Sequence, residues 1–142
     1  MITFKILRYP ICILFFFICC EKYEKNTIEE DDFRVFSNEL EKDYNSYYHM
    51  EIKQNNDENN TTVYARTSSD WIQKVNWYCE EINRDYQITL FPVSSYTDVD
   101  GESHTVVYPR SNMVGDTIKV FADYIDENTN LLYTSWISIV LE

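Results

Sequence analysis

A histidine beside a serine is the first place to look for a nucleophile and its base, and Ser103–His104 is such a pair. Acyl transfer needs more than adjacency. It needs a Ser or Cys within reach of the imidazole, a third group to orient the ring, and a turn that presents the nucleophile. Nothing around Ser103 marks a nucleophile elbow or an oxyanion loop, and Cys79 and His49 lie elsewhere in the chain. His104 therefore reads as a solvated strand histidine. Neighbouring carboxylates such as Glu80 and Glu81 are the minimum equipment of a glycosidase, but adjacent acids arise freely in so acidic a chain, and a small sandwich offers little cleft. Asp98, Asp100, Gly101 and Glu102 invite a calcium reading. An EF-hand-type loop would put a ligand where Tyr96 stands and a bidentate Glu where Val107 stands, so the run reads as a solvated turn. His49, His104 and Cys79 match no zinc spacing, and no glycine-rich loop is present to cradle phosphate. The expectation is a non-enzyme without metal or cofactor.

What remains in surplus is aromatic. Twelve tyrosines, eight phenylalanines and three tryptophans occur in 142 residues, and rings of this kind either fill cores or dominate recognition surfaces. Trp71, Trp77 and Trp136 are the candidate binding aromatics, for a glycan or a protein. The competing reading puts them in the core or in cross-strand pairs. If Leu132, Trp136 and Val140 face outward on the last strand, Trp136 is the best exposed of the three.

The elements that must position these rings belong to one domain, since the chain is too short for two. Its net charge is −12, which argues against DNA, RNA or an anionic lipid surface as partner and would suit a basic one. A hydrophobic content of 44% excludes a wholly disordered chain.

The chain opens MITFKILRYPICILFFFICCEK. Lys5 and Arg8 make a basic start, and Ile11 to Ile18 is unbroken apolar sequence, as in an export signal. The stretch from Tyr9 to Cys20 would span only about 18 Å as a helix, against roughly 30 Å of hydrocarbon. A membrane span is thus disfavoured, a short uncleaved anchor being the alternative. Phe17-Ile18-Cys19-Cys20 resembles the lipobox of bacterial lipoproteins, with small Cys19 before the cut and Phe17 where leucine is preferred. The charged Glu21-Lys22 and the polar run that follows look like small lipoproteins of Bacteroides-type bacteria. This resemblance implies a signal peptide over residues 1–19, acyl chains such as palmitate on Cys20, and attachment at the cell envelope, the outer membrane first among the choices. It would leave Cys79 as the one free thiol, read as a buried apolar packer.

Residues 20–32 then form an acidic tether. Over 33–61 the expectation is a helical or irregular extension and a polar loop. Phe33, Phe36, Leu40, Tyr44 and Tyr47 recur at helical spacing, with extended structure around Tyr47 to Ile52 as the alternative. From residue 62 to 142 the pattern turns to β. Trp71 to Glu80 supports two periods: a strand with Trp71, Gln73, Val75, Trp77 and Cys79 on one face, or a helix over 71–82 capped by Asp70. Pro92 inside 87–94 marks an edge or bulged strand. Asp100-Gly101 signals a hairpin. Asp116 to Tyr124 and Leu131 to Leu141 alternate cleanly and would close the chain as an antiparallel hairpin.

In this order the runs VYARTS, KVNWY, GDTIKVFADYID and LLYTSWISIVL resemble the second, third and last two strands of immunoglobulin-like or PKD-like modules, with Trp77 in the place of the core tryptophan. There is no core cysteine pair, and glycine is scarce, with Gly101 and Gly115 alone. The resemblance implies an antiparallel immunoglobulin-like β-sandwich, with α+β as the alternative if 71–82 is helical. Three functions compete: a lipid-anchored binding or structural module, an acidic inhibitor or immunity-type lipoprotein that captures a basic enzyme, and a small envelope glycan hydrolase.

Overall fold

The computed structural model describes residues 32–54, 59–80 and 88–142. The signal, Cys20 and all of the tether except Asp32 lie outside them, as does Glu81. Among the described residues ten strands follow in order: β1 (Phe33–Phe36), β2 (Glu41–Lys42), β3 (Tyr47–Met50), β4 (Thr61–Thr67), β5 (Lys74–Cys79), β6 (Thr89–Phe91), β7 (Ser94–Tyr96), β8 (Glu102–Tyr108), β9 (Thr117–Asp126) and β10 (Leu131–Leu141). They form two sheets, one ordered β1-β4-β8-β6 and the other β2-β3-β10-β9-β5-β7. All pairings are antiparallel except β3 on β10.

Period-2 alternation puts one face of each sheet inside. Val63 and Ala65 on β4, Val75 and Trp77 on β5, Ile118, Val120 and Ala122 on β9, and Ile137, Ile139 and Leu141 on β10 meet in one core. Trp77 is 3% exposed and its Nε1–H donates to Ser95 Oγ at 3.1 Å, so the indole is buried without orphaning its donor. On the inner side of β8, Ser103 and Thr105 replace aliphatic residues, and Thr105 Oγ1–H donates to the carbonyl of Pro92 at 2.8 Å.

Three expectations need correction. Residues 33–52 hold no helix: Phe33 and Val35 alternate inward on β1, and Tyr48 and Met50 on β3. The helical spacing was a coincidence of two short strands, and Tyr44, on the supposed apolar stripe, is exposed. Both strands pair into the sandwich, β1 with β4 and β3 with β10, so these two segments belong to the sheets rather than to an extension. The alternative helix over 71–82 is also absent from its described residues, 71–80, since β5 occupies 74–79 with Val75 and Trp77 inward. Finally, Asp100-Gly101 does not close a hairpin. It sits at a corner where the chain leaves β7 in one sheet and enters β8 in the other. A type I′ turn would need positive φ at Asp100 as well, and only Gly101 has it, at +74°; Asp98 Oδ1 accepts the N–H groups of Asp100 and Glu102 at 2.9 Å each.

The segment around Pro92 behaves as an edge, β6 bordering one sheet and β7 the other. The β9–β10 hairpin forms in continuous register from Leu131 opposite Asp126 to Val140 opposite Thr117.

Candidate functional site

Three of the long strands, β5, β9 and β10, lie side by side in the six-stranded sheet and expose their other face to solvent. Their registers place Tyr78 opposite Phe121 and Phe121 opposite Trp136. The result is one aromatic row crossing three strands. Tyr78 and Phe121 are parallel within 3° at 5.1 Å between centroids, and Phe121 meets Trp136 at 5.9 Å and 35°. A 5.1 Å spacing is close to the distance between neighbouring strands. The first two rings therefore stand on the sheet with their faces against each other and present edges outward. Trp136 ends the row and is 54% exposed; Tyr78 is 43% exposed.

Polar pairs border the row. On one side Asn76 Nδ2–H donates to Asp123 Oδ1 at 3.3 Å. Burial pushes the Asp123 carboxyl up, the Asn76 hydrogen bond opposing it. Burial, with the nearby charge of Asp123 second, pushes the Tyr78 phenol up, so that hydroxyl stays protonated and able to donate. On the other side Lys119 Nζ lies 3.5 Å from Glu80 Oε2. The face is thus an apolar stripe with a charged rim, the usual anatomy of a recognition patch.

The three tryptophans separate. Trp136 belongs to the row. Trp77 is core, as the strand resemblance implies, and as a binding aromatic it is corrected: its side chain points between the sheets. Trp71 is exposed on the loop between β4 and β5, away from the other two in the fold. Tyr78 and Phe121 were missed by a reading that ranked tryptophan first. The available signal was their outward parity on β5 and β9.

The residues with possible chemistry are scattered. Ser103 faces the core and His104 the solvent, because consecutive strand residues point to opposite faces. The His104 ring sits 6.1 Å from that of Tyr64. Burial pushes the Cys79 thiol up to about 12, which keeps it from being a thiolate nucleophile. Glu80 is engaged by Lys119. Among the described residues, no three His, Cys, Asp or Glu side chains converge as a metal site.

No family model matches the chain, and no curated protein matches it. Solved structures do. The Pseudomonas aeruginosa CupB2 chaperone is similar with a TM-score of 0.50 at 8% identity, over 66% of this chain and 51% of that one. The E. coli chaperone DraB is similar with a TM-score of 0.50 at 10% identity, over 76% of this chain and 53% of that one. The fold is an immunoglobulin-like β-sandwich. This chain spans about half the length of either chaperone, and at such identities the likeness is one of architecture alone. In immunoglobulin-like terms, Trp77 on β5 fills the core between the sheets, and the aromatic row lies on the outer side of the sheet that Trp77 helps to bury.

Proposed function

We propose that this chain is a lipid-anchored envelope protein that works as a non-catalytic binding module, attached through Cys20 and recognising a protein partner with the Tyr78–Phe121–Trp136 row. The single observation behind the reading is that row: three rings in register on the outer face of a regular sheet, Tyr78 and Trp136 exposed and Phe121 half-buried between them, and none of them part of the core. Rings left in water forgo about 25 cal/mol for each Å² of apolar surface that burial would recover, which a partner supplies. The ring geometry favours protein over glycan. A sugar stacks on a free ring face, and here the faces of Tyr78 and Phe121 cover one another. The two solved structures named above are described as chaperones, which supports a binding role for the same fold here. The lipobox-like run at Phe17–Cys20 supports the anchor, and several acyl chains at about 0.8 kcal/mol per buried methylene hold firmly.

The test pairs two variants. Tyr78→Ala with Trp136→Ala should abolish capture of the partner from envelope extracts while lowering Tm by no more than about 5 °C, a change of about 1 kcal/mol. Cys20→Ala should release the protein from the membrane fraction. Undiminished capture by the double variant would reject the row, and a Cys20→Ala protein that still sediments with membranes would reject the anchor.

A further inference from the structure

At one end of the sandwich the usual rule of polar outside and apolar inside is inverted. The loop from β4 to β5 buries Gln73 and exposes Trp71 and Ile72, which are 68% and 69% exposed. The loop from β7 to β8 buries Thr97 and exposes Val99, which is 97% exposed. The two loops are bonded to each other. Thr97 N–H donates to the Gln73 carbonyl and Gln73 N–H to Thr97 Oγ1, each at 2.9 Å. Gln73 Nε2–H donates to Ser69 Oγ at 2.9 Å, and Thr67 N–H to the Gly101 carbonyl at 3.0 Å. Buried polar side chains thus hold the loops in place while large apolar ones are displayed. A rigid display of this kind lowers the ordering cost of binding.

Carboxylates surround the display. Asp70 precedes Trp71, and Asp98 and Asp100 flank Val99. Asp126 and Glu127 stand on the β9–β10 turn at the same end, where Asp123 opposite Asn76 carries β9 past the start of β5. Lys74 is a nearby cation, and Arg66 is engaged by Glu102. Apolar side chains inside an acidic rim are complementary to an apolar stripe flanked by Lys or Arg. From this geometry we propose that the loop end docks a basic amphipathic helix of a partner protein, at a site separate from the aromatic row. A second copy of this chain would bring the same carboxylates face to face, and an anionic bilayer would be repelled as well.

The test uses the full chain in phosphatidylcholine nanodiscs, with empty nanodiscs as reference. The probe is a synthetic helix with a leucine stripe flanked by lysine, alongside its glutamate-flanked counterpart and a scrambled lysine–leucine peptide. The lysine-flanked helix should bind tightest. Its affinity should fall at least about tenfold with Trp71→Ala plus Val99→Ala, and as much between about 0.01 M and about 1 M salt, where the Debye length shrinks from roughly 30 Å to roughly 3 Å. Asp70→Lys plus Glu127→Lys, on exposed positions, should weaken it equally without touching an apolar contact, and Trp136→Ala should leave it unchanged. Three results would overturn the proposal: equal binding of the glutamate-flanked or scrambled peptide, no loss in both loop variants, or self-association of the chain that Trp71→Ala removes. Loss on Trp136→Ala would instead place the helix on the aromatic row, and would overturn this site while leaving that reading intact.

Discussion

His49 stands between two carboxylates, one of which, Asp43, fixes the turn from β2 to β3 at the edge of the six-stranded sheet. Its Nδ1 lies 2.7 Å from Glu142 Oε1 and its Nε2 3.4 Å from Asp43 Oδ2, while Asp43 Oδ1 accepts the N–H groups of Asn45 and Tyr47. Hydrogen bonds to Glu142 and then Asp43 raise the imidazole above its ordinary 6.5. Partial burial works against Asp43, but the Tyr47 and His49 hydrogen bonds overcome it and hold its carboxyl below 3.8. A raised histidine stabilises the fold fully below 6.5 and loses its effect as pH climbs through the folded value; a lowered aspartate stabilises fully above 3.8 and loses its effect as pH falls. Both contributions are complete between 3.8 and 6.5. Urea midpoints measured at about pH 5.5 and about pH 8.5 should therefore drop more for the wild type than for His49→Gln, and equal drops would show that the cluster contributes nothing.

At the scale of elements, the corner holding Gly101 is the most demanding piece of backbone. A Cβ there would lie 2.5 Å from the carbonyl oxygen of Thr67, at φ +74°, whereas one on Gly115, at φ +91°, would meet nothing within 4 Å. Both alanine variants incur the positive-φ strain, about 1 kcal/mol or somewhat more. Only Gly101→Ala adds a clash with backbone, so it should lower Tm by about 10 °C or more and Gly115→Ala by roughly half that. Similar shifts in thermal melts would contradict the contact. Long strands of this fold were legible because their alternation runs unbroken: β9 and β10 could be read residue by residue. On β5 a strand competed with a helix, and the inward parity that holds at Val75 and Trp77 fails at Trp71, which is 68% exposed. The stretch 33–52 was not. Strands β1 and β3 offer only two inward residues each, too few to establish a period against a chance helical spacing. What holds that region is pairing with the distant strands β4 and β10, together with long-range bonds such as Glu39 Oε2 accepting the Thr62 N–H at 2.9 Å, which no local pattern encodes. The Asp100-Gly101 turn shows a related limit: local chemistry specified the turn but not which sheet each arm would join.

Across the whole molecule, the function proposed above divides between an N-terminal anchor and the surface of the sandwich, on a chain whose charge is −12. The proposed anchor rests on the lipobox-like run Phe17-Ile18-Cys19-Cys20 alone. The aromatic row was half legible: Trp136 stood out by type, but Tyr78 and Phe121 become partners only through the registers between β5, β9 and β10, and register is a property of the assembled sheet. The central claim is that this assembled face, and not the opposite sheet, meets a protein. A photo-reactive residue at position 136 in the intact chain, compared with one at His104 on the outer face of the other sheet, tests it most directly in whole cells. The account predicts a discrete protein adduct from position 136 and none from position 104. No adduct from 136, or the same adduct from both, would contradict it.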